Sequence, residues 1–406
     1  MTEFHPEQYF PIAFFIIMSL NLLGVAGLVI SKTLRIRAKS LRQETIRDLF
    51  NEVERAQRAE KYDLTLLRRR IARVPLDEIR RTLEALSKKN RPAVELFGTL
   101  LEESGRLIKI AELASRGPRW KRIDSLVILG LLKHTAGLLL LRRALRSTDQ
   151  DVVLAAVSAL GFWDSPQTVE TLVSLLGKDC PVNSSRVATM IENTTAHVAG
   201  ALCRRAQSAD PVAQYWCAKL LGKYKTSESL EMVHQLLEHP NTNVRAAAVE
   251  TLGQIGTPAD EAFIVRMLAD RDWVVRVNAI HACGEARIKS ALPHLVGLFR
   301  DRQWWVRADA REAIERIGPE AADHLVEALE DTDKFARNMA AQALDDMGYV
   351  DAAIWDLAKQ GAPREQALRV LSAIRNADGA PALSEKLYKL DPELFGSVRE
   401  QLRLAG

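Results

Sequence analysis

Four cysteines and eight histidines are the residues best suited to metal binding or nucleophilic catalysis, but their spacing predicts no such site. No two cysteines show the C-x-x-C spacing of a metal or redox motif. His281 and Cys283 lie two positions apart on a predicted helix, where side chains diverge, so we expect no metal pair there. The chain contains no G-x-x-x-x-G-K-S/T phosphate loop and no H-E-x-x-H zinc motif. We therefore expect no catalytic residue, no metal and no cofactor.

Four aromatic residues at the predicted turns between helices indicate a different chemistry, the binding of another protein. They are Trp273, Trp304, Trp305 and Phe335. Aromatic residues in such turns either pack one turn against the next or stay exposed as anchors for a partner, and Trp is enriched among the residues that dominate binding energy. Trp304 and Trp305 are adjacent and cannot point the same way, so we expect one to be the more exposed. These four are our candidate partner-binding residues.

The elements that carry these residues repeat with a period of about 31 positions. Arg245 is followed eight positions later by Gly253, and Arg276 by Gly284 at the same spacing. Equivalent positions on the same period are Arg122, Arg307 and Arg337. The pattern of each unit predicts a helix, a turn and a second helix. We expect Gly284 to close or tighten the end of the first helix of its unit. One helix pair cannot cover its own apolar face, so the units must stack on their neighbours.

An Asp, an Arg six positions on, a helix, a Gly and a second helix resemble the HEAT repeat. The sequence of residues 270–276 is similar to that of the short bacterial subtype that is also found in phycobilin lyases. The resemblance covers about residues 119–359. It implies an all-α fold, a right-handed α-solenoid of helix pairs. In that family Asp and Arg bond to adjacent units as a ladder, which here would comprise Arg245, Asp270, Arg276, Asp301, Arg307, Asp331 and Arg337. Arg245 departs from the pattern because His239 lies six positions before it.

Composition and charge limit the remaining possibilities. The chain has 406 residues, of which 47% are hydrophobic and 27% charged, so it can bury a substantial core and is not a disordered chain. Residues 32–148 contain 28 Lys and Arg against 14 Asp and Glu, whereas residues 149–406 contain 28 against 36. The N-terminal part of the chain is therefore basic and the remaining part is acidic.

A run of 21 residues without charge, residues 10–30, is long enough for a membrane helix. Basic residues follow the run directly, and the charged residues that precede it are acidic. This distribution predicts an N-terminus outside and the remaining chain in the cytoplasm. Unpaired cysteines agree with a reducing compartment. We therefore expect a single-pass protein of the inner membrane.

The basic residues that follow this run have several interpretations. Attraction to an anionic membrane surface is the first, and contact with an acidic protein, a solvated face or nucleic-acid phosphates are the others. We expect the membrane surface and no nucleic-acid partner. The residues concerned are Lys32, Arg35, Arg37, Lys39, Arg42, Arg68, Arg69 and Arg70.

Five segments follow from these patterns. They are an extracytoplasmic N-terminus (1–9), a transmembrane helix (10–30), a basic helical region (31–118), the repeat solenoid (119–390) and a C-terminal cap (391–406). We expect a non-enzymatic scaffold that docks a membrane-associated protein at the cytoplasmic face, within a cell-envelope or export complex, and that takes no small-molecule substrate. The alternatives are a lyase-like enzyme with a site in the concave groove and a nucleic-acid-binding HEAT protein.

Overall fold

The computed structural model describes residues 31–33, 37, 39–40, 42–59, 62–163, 165–180, 182–194, 198–358, 364–376, 380–389, 396 and 398–400. These residues are all-helical in their regular structure and include no β-strand, as the sequence predicted. The chain divides into two compact units, Met1–Asp164 and Ser165–Gly406, here called unit 1 and unit 2. The predicted N-terminal segment 1–9 and most of the predicted cap 391–406 lie outside the described residues.

The membrane prediction requires correction. The predicted transmembrane helix, residues 10–30, lies outside the described residues, and among those described no helix is both long and apolar enough to cross a bilayer. The longest uninterrupted helix there, residues 42–58, measures about 26 Å and carries charged side chains throughout. A bilayer core of about 30 Å needs roughly 20 mostly apolar residues. This finding contradicts the predicted location as a single-pass inner-membrane protein with its N-terminus outside.

Unit 1 consists of helices joined by short turns. Its core includes Ile79, Leu83 and Phe97, which are fully enclosed. The helices are α1 (residues 42–58), α2 (Leu64–Ile71), α3 (Leu76–Lys89), α4 (Arg91–Glu103), α5 (Arg106–Arg116), α6 (Arg119–Leu132), α7 (Thr135–Ala144) and α8 (Gln150–Gly161).

Unit 2 contains the regular part of the repeat. Its helices alternate between the first and the second member of each pair, and short 3₁₀ turns lead into several second members. They are α9 (Pro166–Ser174), α10 (Ser184–Glu192), α11 (Val198–Ala206), α12 (Pro211–Leu221), α13 (Ser227–Leu236), α14 (Thr242–Ile255), α15 (Glu261–Met267), α16 (Trp273–Glu285), α17 (Leu292–Gly297), α18 (Trp304–Ile317), α19 (Ala322–Ala328), α20 (Lys334–Asp346), α21 (Tyr349–Ala358), α22 (Arg364–Asn376) and α23 (Ala380–Tyr388).

Polar residues set where the first helix of most pairs begins. Asp210, Asn241, Asp272 and Asp333 precede α12, α14, α16 and α20, and each side chain accepts hydrogen bonds from backbone N–H groups of the first turn. Such caps satisfy donors that have no partner inside the helix. Because these residues recur at the same place in four of the pairs, they help to fix the phase of the repeat along the chain.

The first helices of successive pairs stack side by side in unit 2. Helix α14 packs against the first helices on either side of it, α12 and α16, and against the second helices α13 and α15. Val244, Ala246, Ala247 and Ala248 are consequently all buried although they point in different directions around the helix. An apolar stripe on one face would not suffice for a helix enclosed in this way.

The glycines of the repeat make room for the next helix, which differs from the predicted role of closing a helix end. Gly253 and Gly284 lie within α14 and α16. A Cβ atom on Gly253 would lie 2.7 Å from Cβ of Ala282, and one on Gly284 would lie 3.1 Å from Cα of Ala313. The small residue therefore permits the close approach of neighbouring first helices.

We expect Gly253→Ala to lower the free energy of unfolding by about 1–2 kcal/mol, because the new methyl group overpacks the contact with Ala282. The matched control is Gly297→Ala, where nothing lies within 4 Å of the added atom. That variant should gain about 0.5–1 kcal/mol from its better helix propensity. Urea unfolding followed by circular dichroism measures both, and equal effects would contradict the proposed close approach.

Candidate partner-binding edge

The side chain of Arg245 joins two successive repeats. Its Nε and one terminal nitrogen donate hydrogen bonds of 2.8 Å each to the two carboxylate oxygens of Asp270 in the next repeat. Its other terminal nitrogen donates to the backbone carbonyl of His239, 2.9 Å away, within its own repeat. Because the carbonyl and not the side chain at position 239 is used, His239 serves where the family pattern has Asp.

Arg276 repeats this arrangement one unit further on, and the next unit departs from it. Arg276 donates to a carboxylate oxygen of Asp301 at 3.0 Å and to the backbone carbonyl of Asp270 at 2.8 Å. Asp331, however, accepts hydrogen bonds from Arg300 rather than from Arg307.

Arg307 and Arg337 each bond to a carbonyl of their own repeat, and among the described residues neither bonds to an aspartate of the next repeat. Arg307 donates to the carbonyl of Asp301 at 2.6 Å, and its guanidinium lies 4.7 Å from the ring centroid of Phe335. Arg337 donates to the carbonyl of Asp331 at 2.8 Å. Of the arginines that recur with the 31-residue period, Arg245 and Arg276 therefore bond to the aspartate of the next repeat.

The surroundings of these carboxylates keep them ionised. Burial alone would raise the pKa of Asp270, but hydrogen bonds from Arg245 and the backbone of Asp272 outweigh it, and the pKa lies below its ordinary value. Burial would also raise the pKa of Asp331. Hydrogen bonds from Arg300 and from nearby backbone outweigh this effect, so the pKa of Asp331 is lowered as well. Each lowered pKa means that ionisation of the carboxylate and folding support one another.

We expect Asp270 to make stability depend on pH in the acid range. A carboxyl group whose pKa is lower in the folded state stabilises the fold above its unfolded pKa of about 3.9, and this contribution disappears as the pH falls through the folded pKa. The stability difference between the wild type and Asp270→Asn should therefore shrink as the pH is lowered from about 5 towards 2. Urea unfolding at each pH measures this difference, and a difference that stays constant over this range would contradict the expectation.

The four candidate aromatic residues begin three successive first helices. Trp273 and Trp304 are the first residues of α16 and α18, while Trp305 and Phe335 are the second residues of α18 and α20. Their exposed fractions are 42%, 55%, 60% and 47% in chain order. Trp304 and Trp305 contact each other edge to face, with ring centroids 4.7 Å apart, and both remain exposed. We call these four residues the aromatic edge.

An open cleft adjoins the aromatic edge. It has a volume of about 770 Å³ and lies between the turns that precede α16 and α18. Trp273 forms part of its wall and the Arg276–Asp301 pair lies at its base. The lining also includes Arg271, His294 and Arg302. The cleft thus combines an aromatic ring with several cationic side chains.

The predicted membrane-surface residues are not brought together in one described site. Arg35 lies outside the described residues, and Lys32, Arg37, Lys39, Arg42, Arg68 and Arg69 are exposed. Arg70 forms an ion pair with Glu52 at 2.5 Å, and Arg68 lies 3.8 Å from Glu103. These contacts place two of the arginines against carboxylates of unit 1, and no described feature supports contact with a membrane.

Three of the four cysteines, Cys203, Cys217 and Cys283, are buried and poorly placed for nucleophilic chemistry. Burial raises the pKa of Cys203 to about 11 and the pKa values of Cys217 and Cys283 to about 12. Cys283 is fully enclosed, whereas His281 on the same helix is exposed and lies 3.4 Å from Asp309. In the described part of the chain, no group of three or more His, Cys, Asp or Glu residues is arranged to hold a metal ion.

Sequence reasoning missed the residues that join the irregular repeat around α10. Ser184, which stands where other units have Arg, donates to the carbonyl of Gly177 at 3.3 Å. Arg205 of α11 donates to the carbonyl of Leu176 at 3.0 Å, and Asp210 accepts from the backbone of Lys178 at 2.8 Å. The sequence signals are Ser184 and Glu192, which replace the Arg and the Gly of the pattern, and neither reveals that Arg205 supplies the missing link.

Several solved structures are similar to this chain, at low sequence identity. An engineered protein is 20% identical, with 80% of this chain and 98% of that chain covered and a TM-score of 0.33. Kap121p bound to Nup53p is 13% identical, with 88% and 48% covered and a TM-score of 0.43. The CpcE–CpcF complex of phycocyanin lyase from Nostoc sp. PCC7120 is 18% identical, with 61% and 92% covered and a TM-score of 0.28. This chain thus spans about half of Kap121p, and these likenesses concern the helical fold alone.

The sequence family that matches this chain is described as HEAT repeats. The matches cover residues 200–276 and 261–345, and no curated protein matches the chain. The matched region lies within the predicted range of about 119–359 and contains both arginine–aspartate links and the aromatic edge. Residues 200–345 of this chain are therefore HEAT repeats.

Proposed function

We propose that this chain is a non-enzymatic scaffold whose HEAT repeats bind a protein partner through the aromatic edge. The observation that carries the proposal is the exposure of four aromatic side chains at the starts of the first helices of three successive pairs. They are Trp273, Trp304, Trp305 and Phe335. Isolated exposed apolar residues are common on protein surfaces, but a contiguous exposed group marks an interaction site.

The alternative, that the four rings only pack one turn against the next, accounts less well for their surroundings. Trp304 and Trp305 keep more than half of their surfaces exposed and contact each other. Phe335 is covered on one side by Arg307 and is otherwise 47% exposed. Rings that served to fill the turns would be enclosed in the way that Phe299, nearby in unit 2, is fully buried.

The repeat architecture supports the same function. Stacked helix pairs hold successive turns in register, so that side chains from three repeats lie along one edge. A preorganised edge reduces the entropy that is lost on binding. The links of Arg245 and Arg276 to the following repeats reinforce this order near Trp273.

Photo-cross-linking tests the proposal. The cross-linking residue p-benzoylphenylalanine replaces Trp305 in the full chain, expressed in its source cells, and the matched control carries it in place of Trp355. Trp355 is 59% exposed in the same unit but lies in the second half of α21, away from the helix starts. We expect a defined protein to be cross-linked from position 305 and not from position 355. Equal yields, or no cross-linked protein from position 305, would count against the scaffold function.

A further inference from the structure

The cleft beside the aromatic edge has a distinctive distribution of charge. Its lining contains two aspartates, Asp270 and Asp301, and both are turned to internal use. Asp270 is bound by Arg245 and Asp301 by Arg276, and their side chains are only 7% and 8% exposed. The negative charges of the lining are therefore neutralised and hidden at its base.

The positive charges of the same lining remain accessible. Arg271, Arg300 and Arg302 are all exposed. Arg300 holds Asp331 yet keeps 59% of its side chain exposed. Arg271 donates one hydrogen bond to the carbonyl of Pro240, which leaves its other donors available. Arg302 forms no hydrogen bond or ion pair with any residue that the structure describes, so all of its guanidinium donors are available to a ligand.

Apolar surface lies directly beside these cations. The ring of Trp273 and the side chains of Pro293 and Leu298 belong to the same lining, and Trp273 is 42% exposed. A ligand that fits must therefore carry anionic groups next to a large apolar group. Carboxylates suit the arginines because the planar guanidinium fork binds them through two parallel hydrogen bonds.

The repeat sets the spacing of the cationic groups. Arg271 and Arg302 are 31 positions apart and occupy equivalent places in successive turns. Neighbouring stacked helices lie about 8–10 Å apart, so the two guanidinium groups recur at roughly that interval. An extended chain in the polyproline-II conformation advances about 3.1 Å per residue with three residues per turn, so carboxylates three positions apart lie on one face at about the same interval. A second, smaller cleft of about 460 Å³ shares Arg271 and continues the surface towards α15.

We propose that this cleft binds an extended acidic segment of the partner protein, with carboxylates three residues apart on Arg271 and Arg302 and an apolar side chain against Trp273. This inference rests on the proposed scaffold function and adds the chemical class of the partner. The complementary charge of the cleft is what identifies an acidic segment rather than a purely apolar one.

Fluorescence anisotropy of two labelled peptides with the full chain tests this inference. The probes are fluorescein-labelled Gly-Ser-Glu-Phe-Ser-Glu-Ser-Gly and its counterpart with Gln in place of both Glu residues. We expect the Glu peptide to bind at least tenfold more tightly than the Gln peptide, and R271E/R302E to abolish that difference. R186E, at an exposed position on α10, should retain it. Matching unfolding midpoints of the variants show that each one is folded.

Three results would overturn the inference. They are equal affinities of the two peptides, no binding of the Glu peptide at millimolar concentration, and an unchanged preference in R271E/R302E. Displacement of the Glu peptide by a single-stranded oligonucleotide at equal concentration would instead identify the cleft as a nucleic-acid site and would also overturn it. If the peptides fail while cross-linking from position 305 still identifies a protein, the acidic segment is wrong and the scaffold function stands.

Discussion

Arg245→Met is expected to lower the free energy of unfolding by about 3–5 kcal/mol, because it leaves the carboxylate of Asp270 buried without its partner. The two side chains are only 5% and 7% exposed, and two hydrogen bonds of 2.8 Å join them. The substitution also removes the donor to the carbonyl of His239. Urea unfolding followed by circular dichroism at pH 7 measures the effect.

The matched control for this prediction is Arg266→Met. Arg266 forms an ion pair with Glu238 in which both side chains are more than half exposed, and exposed pairs contribute less than about 1 kcal/mol. The double variant R245M/D270N should recover part of the loss, because Asn retains an oxygen for the backbone N–H of Asp272 and removes the unpaired charge. A loss at Arg245 no larger than that at Arg266 would contradict the structural role of the link.

Replacing either tryptophan of the adjacent pair is expected to weaken partner binding strongly. Trp304→Ala and Trp305→Ala should each reduce the affinity about 30-fold, which corresponds to roughly 2 kcal/mol for a residue at the centre of an interface. The two rings contact each other edge to face and together form the largest exposed apolar surface of the edge. Isothermal titration calorimetry with the protein cross-linked from position 305 measures the change.

The control for the binding prediction is Trp355→Ala. That residue is as exposed as Trp305 but lies away from the helix starts, so its affinity should change by less than about twofold. Since the rings of Trp304 and Trp305 are mostly exposed, their loss should alter the unfolding midpoint little. If W304A and W305A bind as W355A does, the aromatic edge is not the binding surface.

The repeat itself could be predicted from the sequence because its signals are local and periodic. The spacing of Arg245, Arg276 and their glycines indicated helix pairs that must stack, and HEAT repeats were confirmed over residues 200–345. The same period also places the four aromatic residues at the junctions between helix pairs, although the structure has them in the first helical turn and not in the connecting turn. A turn of this kind gives no information about exposure, however, so the equal accessibility of Trp304 and Trp305 required the structure.

Contacts between repeats could not be predicted in detail. Whether Arg300 or Arg307 reaches Asp331 depends on the exact position of the next turn, and the sequence offers both. The role of Gly253 depends on Ala282 of the following helix, which local helix-ending rules do not consider. The predicted membrane location depends on the uncharged run of residues 10–30, on its charged flanks and on the unpaired cysteines, and the described helices contradict it.

Hydrogen–deuterium exchange with and without the cross-linked partner tests the central claim most directly. If the partner lies along the aromatic edge, amides at the starts of α16, α18 and α20 should exchange more slowly in the complex, while those of unit 1 should not change. The same measurement with W304A/W305A should show no such protection at matched concentrations. Protection confined to unit 1, or none at the three helix starts, would contradict the account.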